Sequence, residues 1–141
     1  MSFATEFTIQ TQNQPGALGD VCRALADHDV NIVAFQSNPE SQGRSLVHLV
    51  TDNRTATKEV LQNGRLNFTE TEVAKVKLPN RVGALAKASS RLADGGINID
   101  YGYCGIDPTT NTPLLILGVA EVGEAMKILD QAAKAVGAGV T

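Results

Sequence analysis

The chain has 141 residues, of which 43% are hydrophobic and 19% charged, a balance that is typical of a folded protein and excludes a disordered one. Its formal net charge of −3 disfavours a surface that binds the phosphates of nucleic acid. The most apolar run, LLILGVA at 114–120, is too short to cross a bilayer, and the polar start MSFATEF does not resemble a signal peptide. We therefore expect no nucleic-acid or membrane partner and a cytoplasmic location.

The first half of the chain predicts a strand, a helix, two strands, a helix and a strand. Phe7 and Ile9 alternate with polar residues, which predicts a first strand at about 5–11. After a loop at 13–16, apolar residues recur at the spacing of one helical face. They are Leu18, Val21, Cys22 and Leu25. By the same two periodicities, further strands are predicted at about 30–37, 46–51 and 66–70 and a second helix at about 56–63.

The second half repeats the first at an offset of 67 residues. The stretches NQPGALGDVCRALADHDVNIV (13–33) and NRVGALAKASSRLADGGINID (80–100) are identical at nine of 21 positions in one gapless register. The identities include Gly, Asn and Asp residues around the helix, which a coincidence of two amphipathic helices would not produce. The sequence therefore predicts two units, 1–70 and 71–141.

The second unit predicts the same order of elements. Its strands are expected at about 74–78, 97–104, 114–119 and 136–141. One helix is expected to begin at about 84, with Leu85 and Leu92 on its apolar face, and a second helix is expected at about 122–136. Two βαββαβ units predict an α+β fold in which each antiparallel four-stranded sheet carries two helices on one face, the ferredoxin-like arrangement. Because no flexible linker separates Phe68 from Val76, we expect the two units to be paired.

Groups that perform catalysis or bind metals are scarce in this sequence. His28 and His48 belong to no ligand motif, and neither GxxxxGK[ST] nor GxGxxG occurs. Cys22 and Cys104 have no CxxC neighbour, and we expect two buried free thiols. The sequence therefore predicts no enzyme activity, no metal and no other cofactor.

The loop and helix start that the two units share are the candidate binding site. At the first turn of a helix the backbone N–H groups are unpaired, so the peptides at 16–18 and 83–85 are suited to hold a carboxylate. Glycine at the start of each stretch lets a ligand approach the backbone closely. The shared asparagines have two open interpretations, as turn formers or as ligand contacts. They are Asn13, Asn31, Asn80 and Asn98.

Both repeated stretches resemble the start of an ACT domain, with its N-x-P-G-x-L turn, its first helix and the NI that opens the following strand. ACT domains are βαββαβ regulatory modules that commonly bind amino acids where two such domains meet. The resemblance covers both units. It implies a non-catalytic sensor of an amino acid, acting as a homodimer or as the partner of a regulated enzyme.

The resemblance also implies where the ligand lies, between the first turn of one domain and the second strand of a neighbouring one. The matching residues of the first unit are Thr11, Asn13, Gln14, Pro15, Gly16, Ala17, Leu18, Asn31 and Ile32. Those of the second unit are Asn80, Gly83, Ala84, Leu85, Asn98, Ile99, Asp100 and Tyr101.

Two departures from the motif predict unequal pockets. Thr11 and Leu78 occupy the position where some family members have a histidine, and Val82 replaces the turn proline, which weakens preorganisation of the second turn. In return, Asp100 offers the second unit a carboxylate for a ligand ammonium group.

Two other functions remain open. The first is a protein–protein interaction module, or a regulatory subunit, without a ligand of its own. The second is a small lyase or mutase, for which His48, Asp100, Tyr101 and Tyr103 are the available groups.

Overall fold

A computed structural model describes the backbone of residues 2–139 and the side chains of residues 3–130. The described residues form two compact units, Thr5–Thr71 and residues 2–4 together with 72–139. The strands are β1 (Ser2–Gln12), β2 (Ile32–Glu40), β3 (Arg44–Thr51), β4 (Asn67–Lys77), β5 (Tyr101–Asp107) and β6 (Thr112–Gly118). The helices are α1 (Ala17–Ala26), α2 (Arg54–Asn63), α3 (Ala84–Asp94) and α4 (Val122–Gly139).

The first unit has the predicted βαββαβ order. Its strands lie in the order β4-β1-β3-β2, and β3 pairs antiparallel with both β1 and β2. Alternation along β1 and β3 places every second side chain on the face that the two helices cover. That face forms one buried core, in which the rings of Phe7 and Phe68 lie 6.0 Å apart. The other core residues are Ile9, Val21, Leu25, Val30, Val47, Leu49, Val60 and Leu61.

Helix α2 is fixed at its start and along its exposed face. The side chain of Asn53 accepts a hydrogen bond of 3.0 Å from the N–H of Ala56, which caps the helix. Arg54 Nε donates to Glu70 of β4 at 3.1 Å, and Lys58 Nζ lies 3.4 Å from the same carboxylate. The hydrogen bond from Arg54 is the main reason that the pKa of Glu70 lies below its usual value.

The second unit builds its core in the same way from different residues. Strand β6 pairs antiparallel with β4 and β5, and α3 and α4 pack against one face of this sheet. Leu92, at the position equivalent to Leu25, is fully buried like it. The core also contains Ala74, Ile97, Leu115, Leu117, Ala125, Met126 and Leu129.

Three sequence predictions differ from the structure. The strands expected at 66–70 and 74–78 are one continuous strand, β4. The prediction of a closing strand at 136–141 is wrong for residues 136–139, because α4 continues to Gly139. Residues 140–141 lie outside the described part of the chain. Leu85, expected to face the sheet, is 53% exposed, because Leu92, Ala88 and Ala84 provide the contacts of α3 with the core. Among the residues described, no helix is both long and apolar enough to span a membrane.

Candidate functional site

The turn before α1 is closed by backbone hydrogen bonds around a left-handed glycine. Gly16 adopts φ 91° and ψ −17°, a left-handed conformation that glycine reaches without steric cost. The N–H of Ala17 donates back to the carbonyl of Gln14 at 3.3 Å, and the N–H of Asp20 donates to Gly16 at 2.9 Å to begin the helix. A side chain added at Gly16 would meet nothing within 4 Å. The space beside this turn is therefore open.

The turn before α3 repeats this geometry at the offset of 67 residues. Gly83 adopts φ 85° and ψ −2°. The N–H of Ala84 donates to Arg81 at 3.2 Å, and that of Lys87 donates to Gly83 at 2.9 Å. Val82 precedes this glycine where Pro15 precedes the other, so the turn forms without the proline.

Both repeated helices begin without a side-chain cap, in contrast to α2. No side chain accepts a hydrogen bond from the first turn of α1 or of α3. The N–H groups of a first turn have no partner within the helix, and together they carry partial positive charge. Asn13 and Asn80, which were candidates to cap these turns, are exposed and do not cap the helices. The two helix starts are suited to accept an anion from solution.

Some of the other turn residues are exposed to solvent, and others pack against a core. Gln14 and Pro15 are exposed, and the backbone N–H of Asn13 donates to Gly43 at 2.8 Å. Leu18 and Ala84 pack against the cores of their units, so their side chains have structural roles.

Within the first unit, the structure does not bring Asn31 and Ile32 to the Gly16 turn. Gln12, at the end of β1, pairs with Arg44, whereas Ile32 pairs with Thr51. Arg44 and Thr51 are the two ends of β3, seven residues or about 23 Å apart at the rise of a strand. A free amino acid is too short to contact both places in one unit.

The second unit separates its predicted residues in the same way. The end of β4 lies beside Pro113, to which the N–H of Leu78 donates at 3.0 Å, whereas the N–H of Asp100 donates to Gly118 at 2.9 Å. These two places are five residues apart along the chain, or about 17 Å at the rise of a strand. Asn98 donates through Nδ2 to Asp100 Oδ1 at 2.9 Å. The Asp100 carboxylate is therefore already hydrogen-bonded.

The remaining predicted residues are Ile99, which precedes β5, and Tyr101, which begins it. Both are partly buried. Ile99 packs against the core of the second unit. The Tyr101 ring lies directly against the backbone of Gly118, which has no side chain to displace it.

A groove of about 720 Å³ in the first unit was not anticipated from the sequence. It lies beside the Gly16 turn and includes three predicted residues, Thr11, Gln14 and Ala17. The remaining lining comes from the ends of β1, β3, α1 and α2 and the start of β4. These residues are Gln10, Gln12, Asp20, Val21, Ala24, Arg44, Val60, Gly64, Arg65, Leu66 and Asn67. No periodic pattern marks them, because they lie on five elements that are distant in sequence.

His48, one of the polar groups considered for catalysis, contacts two polar side chains of β1. Glu6, which is 1% exposed, lies 3.3 Å from His48 Nδ1, and Thr8 Oγ1 lies 3.1 Å from the same nitrogen. In the part of the chain with described side chains, no three His, Cys, Asp or Glu residues are grouped as metal ligands. Cys22 and Cys104 are both free, but Cys104 is exposed and Cys22 half-buried, so the expectation of two buried thiols is wrong.

Comparison with known proteins supports the relationship suggested by the repeated turn. The family model "ACT domain" matches residues 5–61. A crystal structure of a protein from Bacteroides thetaiotaomicron superimposes with a TM-score of 0.81 at 21% identity, over 93% of this chain and 89% of that one. The ligand-free regulatory subunit of aspartate kinase from Thermus thermophilus gives 0.62 at 19% identity, over 92% and 91%. The corresponding subunit from Thermus flavus gives 0.57 at 18% identity, over 94% and 93%.

No curated protein matches the chain in sequence. The family match covers the Gly16 turn, α1 and both β2 and β3. Residues 5–61 therefore match the ACT domain family, and most of the chain shares the fold of the structures named above.

Proposed function

We propose that the chain is a non-catalytic regulatory protein that binds an amino acid, with the carboxylate of the ligand at the first turn of α1 or of α3. The observation that carries this proposal is the uncapped helix start behind a left-handed glycine, which occurs twice. A carboxylate at such a place accepts hydrogen bonds from N–H groups and interacts favourably with the helix dipole.

The fold supports a regulatory role. The chain shares its fold with two proteins described as regulatory subunits of aspartate kinase. We propose that this chain also acts on an enzyme of amino-acid metabolism, in the cytoplasm, as a homodimer or as a bound regulatory partner.

We further propose that the chain holds two ACT units, 1–70 and 71–141. In this proposal the ligand contacts the glycine turn of one unit and the second strand of a different unit, in the same chain or in a second copy. The long distance between these two places within each unit supports this arrangement, because one unit alone cannot supply both sets of contacts.

The test replaces each turn glycine by aspartate or by asparagine. Asn and Asp tolerate the left-handed conformation about equally and differ by one charge, so Gly16→Asn and Gly83→Asn are matched controls for Gly16→Asp and Gly83→Asp. The melting temperature of each variant is measured with and without each of the twenty amino acids. A ligand at one hundred times its Kd stabilises the wild type by about 2.7 kcal/mol, which raises the melting temperature by roughly 5–10 °C.

We expect the aspartate variants to lose this increase and the asparagine variants to keep more of it. The proposal is wrong if no amino acid stabilises the wild type. The turn is not the binding site if both aspartate variants bind as tightly as their asparagine controls.

One observation favours a second candidate, a protein–protein interaction module. At the second turn Val82 is fully exposed and Leu85 is 53% exposed, and exposed apolar side chains at one place are typical of interaction sites. Val82→Ser would then weaken self-association measured by analytical ultracentrifugation while leaving the binding of amino acids unchanged. An unchanged sedimentation profile for this variant would exclude this role for the second turn.

A further inference from the structure

The groove beside the Gly16 turn carries a specific pattern of charge. Arg44 and Arg65 supply two guanidinium groups and Asp20 supplies one carboxylate. We infer that this groove selects an acidic amino acid, a ligand with two carboxylates and one ammonium group. The inference rests on the proposed function, because it names the class of amino acid that the first unit binds.

The sheet places the two arginines on either side of β1. Arg44 of β3 pairs with Gln12 of β1. On the other side of β1, Asn67 at the start of β4 donates through Nδ2 to Gln10 Oε1 at 3.0 Å, and Arg65 lies two residues before it. Strands that flank a common neighbour lie about 10 Å apart. Two arginines that flank one strand and line one groove are suited to a ligand with two carboxylates.

The arginine side chains retain donors for a ligand. A guanidinium group has five N–H donors. In Arg44 one of them is directed to Gln42 Oε1, through Nη2. Arg65 adopts φ 55°, a left-handed conformation that is unusual for arginine, and it also lines the groove. Arginine binds carboxylates through two parallel hydrogen bonds, which makes it selective for this group.

Asp20 is available for an ammonium group. Its only ion pair among the described residues is with Arg23, at 3.5 Å, and the two side chains are 77% and 72% exposed. An exposed pair of this kind contributes little free energy, so a ligand ammonium competes with it readily.

The floor of the groove is apolar. Val21 and Val60 are 4% and 6% exposed and form an apolar base between α1 and α2. The side chains of Gln10, Gln12, Gln14 and Asn67 supply further amide groups around the rim.

The volume agrees with a small polar ligand that shares the space with water. Small-molecule sites commonly measure about 300–1,000 Å³, and this groove measures about 720 Å³. It exceeds the volume of one amino acid and leaves room for water beside the ligand.

The experiment measures the binding of five probes to the full chain by isothermal titration calorimetry. The probes are L-aspartate, L-glutamate, succinate, L-asparagine and L-glutamine. We expect an acid to bind at least tenfold more tightly than its amide, because the second guanidinium then gains a charged partner. Succinate, which lacks the ammonium group, is expected to bind more weakly than L-aspartate.

Four variants locate the binding. Arg44→Gln and Arg65→Gln are each expected to weaken the binding of the acid at least tenfold, and Asp20→Asn is expected to remove its preference over succinate. Arg65→Gly also deletes the guanidinium, but it relieves the left-handed backbone, so it separates binding from folding. The matched control is Arg91→Gln, which removes one positive charge from an exposed position on α3 in the second unit.

Two results overturn the inference: equal affinity for the acids and their amides, or unchanged affinity of the Arg44 and Arg65 variants. If neutral amino acids bind the wild type while the acids do not, the inference falls and the proposed function stands. If the acids bind through Arg44 and Arg65 while Gly16→Asp and Gly83→Asp leave every affinity unchanged, the inference stands and the turn is not the site.

Discussion

The backbone N–H of Asn31 donates a hydrogen bond of 3.0 Å to Oδ1 of Asp52, and the backbone N–H of Asp52 donates one of 3.0 Å to the carbonyl of Asn31. This reciprocal pair joins the start of β2 to the residue after β3. Because it uses only the backbone N–H and carbonyl of Asn31, any residue other than proline can form it at position 31. The asparagine side chain is therefore not required for this contact.

We expect unequal effects of removing these two side chains. Asp52→Ala loses the acceptor and lowers the free energy of unfolding by about 1 kcal/mol. Asn31→Ala changes it by less than about 0.5 kcal/mol, since the residue is exposed. Urea unfolding measures both. If Asn31→Ala is the more damaging change, its side chain has a structural role that the fold does not reveal.

A second prediction concerns Gly118 and Tyr101, which meet across β5 and β6. A Cβ atom at Gly118 would collide with the Tyr101 ring, so Gly118→Ala should lower the free energy of unfolding by about 1–3 kcal/mol. Adding Tyr101→Ala should remove much of this cost, and a double-mutant cycle measures the coupling. Gly123→Ala is the control, because a Cβ there meets nothing within 4 Å and alanine favours helix α4. Additive effects of the two changes at 118 and 101 would contradict the contact.

A third prediction is a pH dependence carried by Asp107. Its Oδ1 accepts hydrogen bonds from the N–H of Thr110 at 3.2 Å and of Thr109 at 2.8 Å, and Lys77 Nζ lies 3.4 Å from Oδ2. The hydrogen bond from Thr110 and then that from Thr109 lower the pKa of Asp107 below the ordinary value of 3.8. The folded state therefore favours the ionised carboxylate. This stabilisation is present above pH 3.8 and is lost as pH falls through the lower folded pKa.

Comparison of the wild type with Asp107→Asn tests this dependence. The wild type should be the more stable protein at neutral pH, and the difference should shrink as the pH falls below the ordinary pKa of the carboxyl. Urea unfolding at a series of pH values gives both curves. A difference that stays constant with pH would show that the charge of Asp107 has no part in stability.

A fourth prediction concerns the two thiols. Burial raises the pKa of the Cys22 thiol, which lowers the fraction of reactive thiolate, whereas Cys104 is exposed on β5. Cys104 should therefore react first with Ellman's reagent. Cys22→Ser should leave the fast phase and Cys104→Ser should remove it. A fast phase that survives Cys104→Ser would contradict this assignment.

The repeated turn and its helix were predictable because they depend on local physics. In the first unit, a glycine followed by apolar residues at helical spacing predicted that Gly16 precedes the helix and that Leu25 faces the core. The same pattern, 67 residues later, predicted these roles for Gly83 and Leu92. The end of the chain was not predicted correctly, because glycines at 137 and 139 indicated a break although the alanine-rich sequence before them favours the continued helix α4.

The groove could not be predicted for a different reason. Arg44 and Arg65 are 21 positions apart in sequence and approach each other only because β1 lies between β3 and β4. The separation of Asn31 from the Gly16 turn also depends on strand register, which periodicity does not specify.

The turn that the chain forms twice keeps its shape through glycine and backbone hydrogen bonds, with proline before the glycine in one copy and valine in the other. The side chains around it can therefore change without altering the frame. Substitutions at the rim of one turn can change the charge around it while the other turn keeps its own. The Arg44 and Asp20 side chains of the first copy align, at the same offset, with Asn111 and Lys87 of the second. The two turns therefore present different charges on the same backbone frame.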